Sequence, residues 1–276
     1  MAEVRRRVPA SVRRANLVAA TVIRLGGWVA PILLGGSAAW LILQALGGAG
    51  GSWSRVLGWV TGSMVLGTCG ILLATAPALA AALLSRKVPL ESFARVASAL
   101  PLSIPAFVLL RQVGPAVSQA WGLPAQHPLW AILALGWGLG MPLWLSFSDA
   151  LEGSAARGWT DGALALGAAP DQVLWSLSLP AAVPAIIGSL LRAVARASGE
   201  TMAVLLVSGN YSSGWGGAEG ASSVGVALAL DLPDAAQGGM LWTDLMRGAL
   251  CLSIWAMSLH ALAQWFEQFR SENEAA

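Results

Sequence analysis

Charge is what this sequence has least of. Only 11% of its 276 residues are Asp, Glu, Lys or Arg, against about 25% in soluble domains. With 56% hydrophobic residues and a mean hydropathy of +0.67, that scarcity excludes a water-soluble globular chain and identifies an integral membrane protein. Cysteine is nearly missing. Cys69 and Cys251 both lie in apolar runs, without partners at metal-ligand spacing and without a disulfide framework, and they read as small packing residues. His127 and His260 are lone histidines, so no metal site is expected. No cluster of His, Cys or paired carboxylates has catalytic spacing, which leaves a membrane enzyme without its chemistry. There is also no Gly-x-x-x-x-Gly-Lys-Ser/Thr phosphate loop; the chain is not expected to be an ATPase of that type, nor to hold a cofactor.

What is abundant comes in long apolar runs. They are continuous rather than alternating, which favours an all-α polytopic protein over a transmembrane barrel. The runs predict about six membrane helices of the ~20-residue spanning length: 25–46, 60–84, 96–118, 129–148, 183–207 and 245–266. Pro101, Pro105 and Pro115 interrupt the third, which is expected to be kinked or broken. Residues 1–24 form a basic segment, 25–266 the transmembrane domain and 267–276 a tail. Arg5, Arg6, Arg7, Arg13 and Arg14 crowd the start, and Arg86, Lys87, Arg95 and Arg157 fall in loops on the same side. This asymmetry places both termini in the cytoplasm and favours a lipid bilayer over nucleic acid as the partner of the basic segment. Arg111 and Arg247, near the outer helix ends, have the reach to snorkel.

Two connections are too long to be simple links. The 149–182 stretch carries short apolar runs that predict short helices. The outer 208–244 stretch is rich in Gly and Ser and carries Glu219, Asp231, Asp234 and Asp244, a candidate face for a solute-binding protein. Trp28, Trp53, Trp59, Trp130, Trp242 and Trp265 sit at predicted helix ends and read as interfacial anchors.

Within the fifth run, Arg192, Arg196 and Glu200 recur every four residues, on one stripe of a helix. Charge at membrane depth is costly and usually marks a polar pathway. Gly188, Ser189, Ser198 and Gly199 around them permit close helix packing, and Thr201 and Asn210 are candidate polar wall residues.

The 149–182 loop holds a patterned segment. Asp161-Gly162-Ala163 is followed after three residues by Gly167, and after nine more by Leu177, Ser178, Leu179 and Pro180. Gly167 suits the end of one short helix, Pro170 the first turn of the next, and Asp171 that helix's positive end. The spacing resembles the EAA loop of permease subunits in bacterial ABC importers, with Asp161 in place of Glu, Gly162 in place of the first Ala and Leu177 in place of Ile. The resemblance implies the type I importer permease fold. It also implies a coupling hairpin, Asp161 to Pro180, that contacts nucleotide-binding subunits, with ATP and Mg bound by those subunits. Arg196-Ala-Ser-Gly-Glu-Thr-Met-Ala-Val204, followed by Ser208-Gly-Asn210, is similar to permeases of phosphate-uptake ABC importers, closer to the PstC type than to its PstA partner. Ile104-Pro105-Ala106 and Leu110 depart from that family's third-helix pattern.

The likeness implies one half of a phosphate channel in a bacterial inner membrane, assembled with two ATPase subunits, a second PstA-like permease and a periplasmic phosphate-binding protein. Arginine's planar fork suits an oxyanion, and Glu200 would keep Arg192 and Arg196 from trapping it. The alternatives are the same machine for molybdate, tungstate or sulfate, and an ion-coupled secondary transporter, which would not need the hairpin.

Overall fold

The computed structural model describes residues 42–43, 45–46, 51–85, 103–122, 127–208 and 221–275. Most of the expected first helix (25–46), the basic segment 1–24, Arg86, Lys87, Arg95 and Asn210 lie outside them. The described residues form nine α-helices: α1 Trp53–Ser85, α2 Ser103–Trp121, α3 Pro128–Leu151, α4 Ser154–Ala165, α5 Pro170–Val173, α6 Leu179–Ser198, α7 Met202–Val207, α8 Val224–Asp231 and α9 Met240–Ala275. A π-helical turn, Leu174–Ser178, joins α5 to α6. Four stretches are long and apolar enough to cross a bilayer: Trp53–Leu84, Pro128–Leu151, Pro170–Ser198 and Met240–Gln268.

α1 is the central helix because its small and apolar residues recur at helical spacing. Val56, Trp59 and Val60 pack against Val224 and Ala227 of α8 and Leu245 and Met246 of α9. Ile71, Ala74, Ala78 and Ala82 continue the same stripe against Leu139, Leu143, Phe147 and Leu151 of α3 and Ala182 of α6. Between these clusters the backbones approach through glycine. A Cβ on Gly136 would lie 2.9 Å from the Gly70 carbonyl oxygen, and one on Gly67 only 2.8 Å from the amide nitrogen of Ser198. Small residues are the usual means of close helix approach in lipid, where apolar side chains gain nothing over the solvent. Trp59 and Trp130 belong to this interior: both are buried, and Trp130 Nε1 donates to Ser118 Oγ. Trp53 and Trp265 remain exposed. An indole can anchor at an interface, but equally fills a core gap when its N–H finds an acceptor.

α6 runs antiparallel to both α1 and α9. Ser198 meets Gly67 and accepts a hydrogen bond from Trp255 Nε1, while Arg192, further back along α6, meets Glu267 further along α9. One end of the bundle therefore gathers the end of α1, the start of α6 and the end of α9. At the other end Asp244, 0% exposed, accepts hydrogen bonds from the Ser52 amide (2.8 Å) and from Arg55 Nη1 (3.1 Å). Arg247 donates to the Ala45 carbonyl and its guanidinium lies 5.1 Å from the Trp53 ring centroid. Asp244 thus fastens two helix starts and is not part of an exposed acidic face. α9 continues through the region expected as a tail, to Ala275.

Candidate functional site

The expected fifth helix, 183–207, is both longer and broken. It begins at Pro170, which stands at the first position of α5 with Asp171 in the same turn. It continues through the π-helical turn, closed by the Leu179 amide on the Leu174 carbonyl. Pro180 has no N–H, and its ring crowds the carbonyl four residues back, so widening the turn before it relieves a clash that a regular α-helix would carry. The helix then stops at Ser198. The Gly199 and Glu200 amides bond back to the Arg196 and Ala197 carbonyls, and α7 restarts only from Thr201. Ser198 Oγ donates to the Val194 carbonyl four residues earlier, which bends helices, and Gly199 lowers helix propensity at that point.

The break lies near mid-depth, because Ser198 packs on Gly67 near the middle of the 33-residue α1. Irregular backbone at such depth is tolerated only inside protein or along a polar cavity. Thr201 presses against Gly225 of α8, where no side chain would fit. Ser208 accepts from and donates to Ala221. Ser63 Oγ accepts from the Val224 amide, and Ser223 Oγ caps α8 by accepting from Val226. The restart of the helix is thus packed on the start of α8, whose backbone is held by the Ser63, Ser208 and Ser223 hydroxyls.

The stripe is rearranged accordingly. Arg192 is paired with Glu267 of α9 rather than with Glu200, since Glu200 falls beyond the end of α6. Neither Arg196 nor Glu200 forms an ion pair among the described residues. Arg192 and Arg196 instead share a cavity of about 150 Å³ between α3 and α6, with Ser146, Ser189, Leu139, Pro142, Leu143 and Ala193. Two arginines and two serines line it, and its other walls are apolar. Ser146 Oγ bonds the Pro142 carbonyl and Ser189 Oγ the Ala185 carbonyl, so each hydroxyl is held on its own helix. Sequence reasoning missed Ser146, since one serine in an apolar helix carries no spacing signal. It missed Glu267, which lies in the expected tail.

The patterned loop folds as a helix–turn–helix. α4 ends at Ala165, and Gly167 takes φ +90°. The Gly167 amide bonds the Leu164 carbonyl and the Ala168 amide the Ala163 carbonyl, each at 3.0 Å, a Schellman ending that uses glycine at its left-handed position. Asp161 and Gly162 are exposed on α4 and Pro180 on α6, while Ala163, Leu177 and Leu179 are half-buried. Leu166 is 91% exposed, and Trp159, Leu164 and Trp175 are exposed beside it in sequence. Four large apolar side chains open to solvent on a hairpin mark a contact surface.

The family model of the binding-protein-dependent transport system inner membrane component matches residues 67–230, from the middle of α1 through the hairpin and the broken helix to α8. The chain belongs to this family. It is a multi-pass inner-membrane permease of an ABC importer, and permeases of this family work with an ATPase subunit and a substrate-binding protein. No curated protein matches the chain. Glu267 and the Arg192–Glu267 contact lie partly outside the matched region.

Proposed function

We propose that this permease carries a tetrahedral oxyanion, inorganic phosphate first, along a path that includes the α3–α6 cavity and the break at Gly199–Thr201. The observation that carries the reading is the pairing of Arg192 and Arg196 with Ser146 and Ser189 around one small cavity. Guanidinium forks are the donors that phosphate oxygens accept from, and the two serines, whose protons go to the Pro142 and Ala185 carbonyls, keep the wall between them polar. Arg196 has no carboxylate within ion-pair reach among the described residues, whereas Arg192 is held by Glu267. The cavity therefore keeps a net positive character without being a deep trap, and conduction needs binding weak enough for release. Glu200 and Thr201, at the break, extend the polar path beyond α6; Asn210 would continue it.

In this reading the hairpin Asp161–Pro180 is the coupling element that seats in a separate ATPase subunit through Trp159, Leu164, Leu166 and Trp175. ATP and Mg are bound there and not on this chain, whose own part is transport rather than catalysis. A second permease completes the channel, a phosphate-binding protein delivers the anion, and both termini face the cytoplasm with six spanning helices in all. The test is uptake of radiolabelled phosphate at low micromolar supply with and without this chain, with unlabelled sulfate and molybdate as competitors. Loss of uptake on deletion, competed only by phosphate, is expected. Unchanged phosphate uptake, with no second phosphate system present, would remove phosphate and leave another oxyanion.

A further inference from the structure

Glu267 is the one carboxylate that reaches the cavity's arginines among the described residues, and its setting is unlike that of a structural clamp. The Arg192 and Glu267 side chains are 40% and 39% exposed. Neither side chain is enclosed by the described residues, so the pair is open on one side to an incoming group. The approach is nevertheless built for. A Cβ on Gly188 would sit 3.0 Å from Glu267 Oε1 and 3.4 Å from the Ala263 carbonyl oxygen, so glycine at this point of α6 admits the carboxylate. The carboxylate also comes from α9, whereas among the described residues the cavity is lined by α3 and α6. Arg196, four residues further along the same face, shares the cavity without such a partner.

We propose that Glu267 is a tethered counter-ion that occupies the Arg192 fork in place of the transported anion. It yields that fork when the anion enters or when α9 shifts against α6. The proposal rests on the anion-path reading above. A carboxylate presents two oxygens to a guanidinium much as a phosphate does, so the two compete for the same donors. Holding Arg192 in this way keeps one of the two arginines neutralised while the cavity is empty. It makes affinity depend on the relative position of two helices.

The test uses the complete transporter, assembled with its ATPase and second permease in proteoliposomes, and radiolabelled inorganic phosphate. Glu267→Gln keeps an oxygen acceptor for Arg192 and removes only the charge; assembly is checked by gel filtration. The half-saturating phosphate concentration is expected to fall about two- to five-fold, the yield of a half-exposed ion pair. Arg192→Gln is expected to raise it, and the double exchange Arg192→Glu with Glu267→Arg to stay impaired. Equal impairment by both single variants, with transport restored by the exchange, would overturn the proposal and make the pair a fastening. Phosphate uptake indifferent to Arg196→Ala would refute the anion path itself and the proposal with it; no phosphate uptake by the unsubstituted transporter would remove phosphate as the anion, and the proposal as stated for phosphate with it.

Discussion

The turn of the hairpin allows two glycine substitutions with opposite expected signs. Gly167 holds φ +90°, where a side chain costs roughly 1–2 kcal/mol. No atom lies within 4 Å of a Cβ built there, so the cost is entirely backbone. That strain falls on the two amide bonds that close the turn, Gly167 to Leu164 and Ala168 to Ala163. Gly162 lies inside α4, equally open around its Cβ position, and there alanine is expected to gain up to about 1 kcal/mol over glycine. Global unfolding would barely register either change, so the assay is amide hydrogen exchange of peptides covering 154–170. Gly167→Ala should speed local exchange about 5- to 30-fold, the equivalent of 1–2 kcal/mol, and Gly162→Ala should slow it up to about fivefold. Unchanged or slower exchange in Gly167→Ala would refute the assignment of that turn. If the hairpin seats in an ATPase subunit, Gly167→Ala also lowers transport per ATP hydrolysed while Gly162→Ala does not.

Three further outcomes follow from other parts of the bundle. Gly67→Ala forces its methyl against the Ser198 amide and hydroxyl and is expected to destabilise by about 1–3 kcal/mol in thermal unfolding of the detergent-solubilised protein; Gly140→Ala, with open space around its Cβ position, is the control and is expected to lose no stability, gaining up to about 1 kcal/mol. Asp244→Ala leaves the Ser52 amide without its acceptor and is expected to cost about 2 kcal/mol, less than a fully buried pair because Arg55 is 44% exposed; Asp244→Asn, which keeps an oxygen for Ser52, should cost less in the same melt. Arg196→Ala is expected to reduce anion uptake about 10- to 100-fold, the equivalent of a charge-assisted hydrogen bond, and Arg196→Lys to recover only part of it, which initial uptake rates will measure.

The long helices were legible because their cause is compositional. Runs such as Val56 to Ala82 and Leu129 to Leu145 carry no charged residue, and lipid requires of them only length and internal hydrogen bonds. The hairpin was legible for a different reason: Gly167 and Pro170 each answer to a local backbone demand that few other residues meet. Boundaries were less visible. The expected sixth helix stopped at 266, yet α9 runs to Ala275, since polar residues can extend a helix beyond the bilayer at no desolvation cost. Trp59 and Trp130 were misplaced because hydropathy cannot separate an interfacial indole from a buried one. The difference lies in a packing gap on α8 and α9 for the first and a serine hydroxyl on α2 for the second.

The charged stripe shows where sequence periodicity stops being informative. Spacing of four aligns Arg192, Arg196 and Glu200 only while the helix persists, and the segment Ser198-Gly199 ends it one turn too soon. Local signals for that ending were present, a serine able to bond its own backbone and a glycine behind it, but they compete with a strongly apolar context that favours continuation. The outcome turned on a contact outside the segment. Gly67 of α1 leaves room for the Ser198 backbone and Gly225 of α8 for Thr201, so the break is packed into place rather than left as a defect. Glu267, 75 residues beyond Arg192, was beyond any pattern within the stripe. A carboxylate reaches Arg192 from another helix because Gly188 clears its path, and the spacing of residues along one helix carries no information about what a second helix delivers to it. The cavity's charge balance is therefore a property of helix packing. That makes it adjustable by the relative movement of helices, which sequence periodicity along one helix cannot report.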